Sequence, residues 1–328
     1  MKYVKVQHGQ LHVGTTDNPT PKPNEVLIEI KASGINRADL LQLAGKYPAP
    51  AGESSILGLE VAGVVLSAPA TGEFEVGDRV MALLAGGGYA QQVCVDVGCV
   101  LTIPDNLSFV QGAAIPEAFI TAYQCLFEIG QLNSRLNKGA VNVLIHAGAS
   151  GVGSAAIQLA KSAGARVFTT ASSQKKLAAL AQLGADDLIN YTEVDFCEYI
   201  KQQTQGQGVD IVIDFIGASY LTKNISSIAL DGTLVSLAML GGRMGQDFDF
   251  AKLLAKRITV SGTTLRNRDY QYKAQLISNF SQQFLSQFDC GKLMPVIDSQ
   301  YNYSQVALAF AKIQANGNIG KLILSSFD

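Results

Sequence analysis

Val143-Leu144-Ile145-His146-Ala147-Gly148-Ala149-Ser150-Gly151-Val152-Gly153-Ser154 runs from an apolar strand into a glycine-rich turn that opens a helix. Gly148 permits the tight turn, and Gly153 lets the helix pack close to the strand. The free backbone N–H groups of the helix start, helped by the helix dipole, can receive a pyrophosphate. Ser150 stands where the middle glycine of such a turn usually is; it is still small enough for a phosphate to approach, and Gly151 adds freedom beside it. An ordinary glycine turn has the same local composition, so the surroundings of the stretch carry the reading.

Downstream, short apolar runs alternate with helical segments. Strands are expected at 141–146, 166–170, 187–190, 209–215, 233–238 and 257–261, with helices over 152–163 and 174–183 stopped by Gly164 and Gly184. Six strands separated by helices predict βαβ units and a doubly wound, six-stranded parallel sheet of the dinucleotide-binding (Rossmann) kind. Residues 1–121 differ. Short runs such as Val26-Leu27-Ile28-Glu29-Ile30 lie among Gly and Pro clusters, the pattern of a mostly-β domain. After Leu265 the helix-strand rhythm ends, and a strand over 321–324 is read as returning to the first domain. The α/β chain thus divides into 1–121 with 265–328, and an inserted 122–264.

A chain of 328 residues is long enough for two cores, and 48% hydrophobic against 16% charged residues describes a folded protein. Lys plus Arg total 25 and Asp plus Glu 27, so no net field recruits nucleic acid or an anionic membrane, and the partner is expected to be a small molecule. No apolar stretch reaches spanning length and no leader pattern opens the chain, which predicts a cytoplasmic protein. Cys94, Cys99, Cys125, Cys197 and Cys290 are scattered without a paired spacing and are read as reduced thiols.

The residues after the second strand of the inserted domain bear on the cofactor. An NAD-preferring fold places Asp or Glu there to hold the ribose. Thr169-Thr170-Ala171-Ser172-Ser173-Gln174-Lys175-Lys176 offers hydroxyls and two ammonium groups instead, which suits the 2′-phosphate of NADPH. A helix cap at Ser172 or Ser173, with solvated lysines, explains the same residues structurally. In the first domain, Asn36-Arg37-Ala38-Asp39 and Gly45-Lys46-Tyr47-Pro48 fall on an expected helix and the loop after it, and by themselves read as caps and turns.

Six stretches in order extend the argument: Ile35-Asn36-Arg37-Ala38-Asp39-Leu40, Ile56-Leu57-Gly58-Leu59-Glu60-Val61-Ala62-Gly63, Ala113-Ala114-Ile115-Pro116-Glu117-Ala118, the turn from His146 to Gly153, Ser173-Gln174-Lys175-Lys176-Leu177, and Asn318-Ile319-Gly320-Lys321. In these the chain resembles, from end to end, the zinc-free quinone oxidoreductases of the medium-chain dehydrogenase/reductase superfamily, in particular the tumour-suppressor-inducible type. The resemblance implies a GroES-like catalytic domain beside the Rossmann domain, and a homodimer. It implies that Gly148, Ser150, Gly151, Val152 and Gly153 hold the pyrophosphate. Ser172, Ser173, Lys176 and Tyr191 surround the 2′-phosphate, with Lys175 the close alternative. Asn36, Tyr47 and Thr121 line the active site as its catalytic candidates. Backbone at Gly217, Leu240, Gly241 and Gly242 faces the ribose and carboxamide, and Leu265 and Arg266 close the site from the hinge.

No metal is expected. In zinc relatives a Cys-His pair and the His of a Gly-His-Glu run are ligands, whereas this chain has Asn36-Arg37 and Gly58-Leu59-Glu60, and neither Arg nor Leu binds zinc. The four-cysteine structural loop is missing, and His8, His12 and His146 have no ligand spacing. His146 is read as a packed or turn residue at the end of its strand. Without a metal the chemistry falls to cofactor geometry and hydrogen bonds, so the expected reaction is hydride transfer from NADPH to a quinone or other conjugated carbonyl, with Tyr47, Asn36 or a water steadying the oxyanion. An enal or enone reductase, a weakly active NADPH-binding redox sensor and a crystallin-like NADPH-binding protein remain as alternatives, with a zinc alcohol dehydrogenase last.

Overall fold

Alternating burial along Glu25–Ile35, with Val26 and Ile28 inward, makes the long strand on which the first sheet is built. The computed structural model describes the chain except His8, Thr71, Gln246, Asp247 and Asp328; the reading of His8 as a non-ligand therefore lies outside the described residues. The strands in chain order are β1 (Lys2–Gln7), β2 (Gln10–Thr15), β3 (Glu25–Ile35), β4 (Glu60–Ser67), β5 (Arg79–Leu83), β6 (Gln92–Asp96) and β7 (Val100–Thr102). They continue with β8 (Asn142–Ile145), β9 (Arg166–Ala171), β10 (Asp187–Asn190), β11 (Val209–Asp214), β12 (Ile228–Ser236), β13 (Thr259–Gly262), β14 (Ile297–Tyr301) and β15 (Lys321–Ser325). Contacts divide the chain into one unit of Met1–Ile120 with Leu265–Asp328 and a second of Thr121–Thr264.

In the first unit β1 and β2 form a hairpin, and the main sheet runs β14-β15-β3-β4-β5-β7, with β6 also on β3. Every pairing is antiparallel except β14 with β15. Strand β15 sets Leu322 against Ile35 and Ile323 against Gly34, so the chain's last strand does join its third. Beside that pair Val4, Leu57, Tyr89, Tyr303 and Phe310 pack into one core.

In the second unit the sheet order is β10-β9-β8-β11-β12-β13 and all pairings are parallel. This is the doubly wound, six-stranded sheet read from the sequence. Strand order reverses between β8 and β11, and in such sheets the crevice beyond the carboxyl ends at the reversal takes the ligand. Two strands depart from expectation. β12 begins at Ile228 rather than near 233, because a left-handed Asp231 carries the strand through a register shift against β11. β13 starts at Thr259 rather than 257, since Arg257 is itself left-handed and pairs with Asp231 at 2.5 Å. The Gly151–Ala163 helix ends at Gly164, which has φ near 100°. Among the described residues, no helix is long and apolar enough to cross a membrane.

Candidate functional site

At the carboxyl end of β8 the chain turns on Ala147, which takes a φ of 47°, a conformation that costs a non-glycine residue strain. The sequence assigns the turn to Gly148; in the structure Gly148 serves close packing instead. A Cβ there would lie 2.1 Å from Thr169 Oγ1, and one on Gly153 would lie 2.4 Å from the Ala147 carbonyl oxygen. Both positions exclude a side chain because the turn is pressed between β9 and the helix. Ser150 caps that helix, its hydroxyl accepting from the Gly153 N–H at 3.0 Å. One donor of the first turn is thereby used internally, while the N–H groups of Gly151 and Val152 have no acceptor within the helix.

Strands β9 and β10 end side by side, Asn190 paired with Ala171, and the Tyr191 N–H donates to the Ala171 carbonyl at 3.3 Å. Ser172, Ser173 and Tyr191 therefore share one edge. Ser173 caps the Gln174–Gln182 helix by accepting from the Lys176 N–H, so the structural role weighed for this serine is realised. Lys175 is exposed and Lys176 half-buried, and burial lowers the Lys176 ammonium from its ordinary value. Both lysines stand in the helix's first turn, which has no acidic residue, and so face the positive end of its dipole.

Beyond β11 and β12, Gly217, Leu240, Gly241 and Gly242 form one corner. The Gly241 N–H donates to Ile216 O at 2.7 Å, Leu240 N–H to Phe215 O at 3.1 Å, and Ala218 N–H to Gly242 O at 3.0 Å. Gly217 has a φ of 81° and approaches the Gly242 carbonyl too closely for a side chain. Under this edge His146 is fully buried between Thr170 Oγ1 at 3.0 Å and Asn224 Oδ1 at 2.8 Å, with Phe196 and Tyr220 edge-on to its ring. Burial depresses it to about 4, so it is neutral at pH 7. Because Asn224 Oδ1 can only accept, Nε2 is assigned the proton.

The first unit gathers a second polar group around Asn36. The Lys321 ammonium forms an ion pair with Glu60 and donates to Asn36 Oδ1 at 2.7 Å and to the Ile35 carbonyl at 2.9 Å. Asn36 Nδ2 donates to Glu60 Oε1 at 2.9 Å, and the Glu117 backbone N–H donates to Glu60 Oε2 at 2.9 Å. Asn36 is thus held at both ends of its amide. Asp39, fully buried, accepts from the Asn36 N–H, the Gly58 N–H and the Tyr89 hydroxyl; burial nevertheless raises its carboxyl to about 6.

Tyr47 is half-buried under Arg266, whose guanidinium lies 5.4 Å from the ring centre. Arg266 donates to Ala85 O, Tyr47 O and Gln42 Oε1, tying down the loop that carries Tyr47, and Leu265 beside it is buried. Thr121, the last residue of the first domain in the sequence reading, opens the second unit. Its hydroxyl is buried with no hydrogen-bond partner among the described residues. Arg37 spends its guanidinium on Ile313 O and Asn316 Oδ1, and Leu59 is packed in the core. Among the described residues no three or more His, Cys, Asp or Glu side chains are arranged to hold a metal.

Glu60, Lys321, Asp39 and Glu117 were not singled out from sequence as site residues. Their positions lay within the recognised stretches, but nothing local marks a lysine near the C-terminus as the counter-ion of a glutamate on β4.

Two family models match the chain: "Alcohol dehydrogenase GroES-like domain" over residues 22–105 and "Zinc-binding dehydrogenase" over residues 151–282. The human synaptic vesicle membrane protein VAT-1 homolog-like is 32% identical, the match covering 93% of this chain and 75% of that protein. Human quinone oxidoreductase is 31% identical over 93% of this chain and 90% of its own length. Among solved structures, an NAD-dependent alcohol dehydrogenase aligns with a TM-score of 0.85 at 28% identity over the whole of both chains. CurK enoyl reductase aligns at 0.84 and 28% over 99% of this chain and 98% of its own. With its strand order, its glycine turn and relatives at this identity over 93% of its length, the chain belongs to the medium-chain dehydrogenase/reductase superfamily of oxidoreductases.

Proposed function

We propose that the chain is an NADPH-dependent reductase of quinone-like acceptors that works without a metal. What supports the cofactor choice is the paired ends of β9 and β10, which lead into Ser172, Ser173 and Tyr191, followed by two lysines in a helix whose first turn has no acidic residue to hold a ribose. Lysines in a helix's first turn oppose the dipole by a few tenths to 1 kcal/mol each, and a bound phosphate reverses that penalty. The glycine turn fits the rest of a dinucleotide: Gly151 and Val152 N–H groups for the pyrophosphate, and the Gly217 to Gly242 corner for the nicotinamide end.

A bound nicotinamide in reduced form supplies the hydride. The protein's part is then to hold the acceptor and steady the charge that develops on its oxygen. Tyr47 is the side chain suited to this, because Arg266 fixes its loop and its own burial keeps the phenol protonated. Asn36 serves from inside the Lys321–Glu60 cluster. A cation beside the substituted ligand positions is already present as the Lys321 ammonium, which supports chemistry without zinc.

Similarity to CurK enoyl reductase favours a second reading, reduction of an enal or enone at the same site. The purified protein, given ortho-quinones, para-quinones and enones with NADPH and NADH in parallel, separates these. Quinone turnover faster with NADPH is expected. Turnover of enones alone selects the second reading, equal use of NADH removes the phosphate-site assignment, and binding without turnover leaves a cofactor-binding protein.

A further inference from the structure

Tyr47 sits on a stretch whose two ends turn on glycine. Gly45 has a φ of 68° and Gly52 of 86°, and a Cβ on either would meet nothing within 4 Å, so both can swing without displacing a neighbour. Between them Pro48 and Pro50 fix their own backbone, which makes the tip a stiff piece between two freely turning points. Gln42, on the Arg37–Leu43 helix, closes the neck below: its Nε2 donates to the Ser55 carbonyl at 2.9 Å, while its Oε1 accepts from Arg266 at 2.7 Å. Arg266 reaches the backbone of the tip at the Tyr47 carbonyl, 3.2 Å away and at the long end of the hydrogen-bond range. Past Gly52 the Tyr270 hydroxyl donates to Glu53 Oε1 at 2.8 Å. The two halves of that bond differ. Tyr270 opens the Tyr270–Phe280 helix, whose Leu276, Ile277 and Phe280 are buried, and the Lys273 ammonium lies 5.1 Å from the centre of its ring, so the tyrosine is a fixed post. Glu53 follows directly on Gly52, and Ala51, Gly52, Ser54 and Ser55 around it are exposed. A fixed post that holds the free side of a hinged segment by an exposed hydrogen bond has the build of a latch.

We propose that 45–52 is a lid over the acceptor and that Tyr270 is a positioning residue, the latch that holds the lid, and with it Tyr47, in the closed position. The inference rests on the reductase reading above, which puts the acceptor oxygen at Tyr47. Release of Glu53 frees the lid to turn on Gly45 and Gly52, carrying Tyr47 aside so that a planar acceptor enters or its product leaves; when the bond re-forms, the phenol returns. Opening breaks the Tyr270–Glu53 bond and the contacts of Tyr47 with Arg266, while the Gln42 neck and the core of the unit stay intact.

Hydrogen exchange reads the lid without turnover. The Glu53 N–H, bonded to Pro50 O at 3.1 Å, reports on the lid, and the Leu84 N–H, bonded to Leu59 O at 2.7 Å, reports on the core of the same unit. Tyr270→Phe should raise exchange across 45–55 about fivefold or more and leave Leu84 unchanged. Glu53→Ala should match it, and the double variant should be no worse than either single one, whereas Glu53→Gln, whose amide oxygen still accepts from the hydroxyl, should stay within about twofold of the wild type. An ortho-quinone added with NADP+, two oxidised compounds that do not react together, should slow exchange across 45–55 in the wild type and less so in Tyr270→Phe. In turnover Tyr270→Phe should raise the KM for the quinone about threefold or more, with the dissociation constant for NADPH kept within about twofold. Unchanged exchange across 45–55 in Tyr270→Phe, faster exchange throughout the unit, or losses that add in the double variant would overturn the latch. If no acceptor is reduced and the quinone gives no protection, the reductase reading fails and the lid's role with it, whereas local release of 45–55 in Tyr270→Phe shows that the latch itself was read correctly.

Discussion

At the residue scale, the two lysines of the Gln174–Gln182 helix offer the sharpest discrimination. They are adjacent, but only Lys176 is half-buried, with an ammonium lowered by burial, so it is the one expected to act on the phosphate. Lys176→Ala should weaken NADPH binding by about 1 to 2 kcal/mol at low salt and leave NADH almost unchanged, while Lys175→Ala should do much less to either. Dissociation constants at low and high salt check this; equal losses for both cofactors would remove Lys176 from the phosphate site. Tyr47→Phe keeps the ring under Arg266 and removes the hydroxyl. Loss of one hydrogen bond made in the transition state should cost about 1 to 3 kcal/mol, so quinone turnover should fall about tenfold or more with NADPH affinity preserved. Unchanged steady-state kinetics would leave Tyr47 a packing residue.

At the element scale, the glycine turn is held by geometry that substitution can read. A Cβ on Gly153 would meet the Ala147 carbonyl at 2.4 Å and Gly148 Cα at 2.8 Å, so Gly153→Ala must push the helix off its strand. We expect a loss of about 1 to 3 kcal/mol in stability together with weaker binding of either dinucleotide. Gly164→Ala is the control, since Gly164 has φ near 100° in open space: it should cost about 1 kcal/mol of backbone strain and spare binding. Parallel thermal melts and cofactor titrations separate the two. These elements were legible because their causes are local. The six strands follow from apolar runs, and Gly164 from its place after the last periodic residue. Where the reading missed, the cause was conformational or distant. The left-handed residue is Ala147 rather than a glycine, and Asp231 and Arg257, both left-handed, moved the starts of β12 and β13. The Glu60–Lys321 pair joins β4 to β15, and no periodicity or spacing links strands so far apart.

At the scale of the whole molecule, the two units carry buried ionisable groups whose shifts have opposite consequences. In the second unit His146 has a folded value near 4 against an ordinary 6.5. A depressed histidine favours the folded state above 6.5, and that contribution is lost as pH falls toward 4, on the order of 3 kcal/mol in total. In the first unit Glu117 and Asp39 are raised, to about 8 and about 6. A raised carboxyl holds its proton longer in the folded state, so the first unit loses stability as pH climbs from about 4 through those values and regains it on acidification. Between pH 6.5 and 4.5 acid should therefore weaken one unit while strengthening the other. Calorimetry at pH 7.5 and at pH 5 should show the transitions drawing apart, the second unit melting first at the lower pH, so that two-state analysis fails there. His146→Gln should flatten the second unit's acid dependence, because the amide can bond Thr170 and Asn224 without titrating; Glu117→Gln should flatten the first unit's alkaline dependence. A single transition moving uniformly with pH, unchanged in both variants, would show that neither buried group governs the stability of its unit.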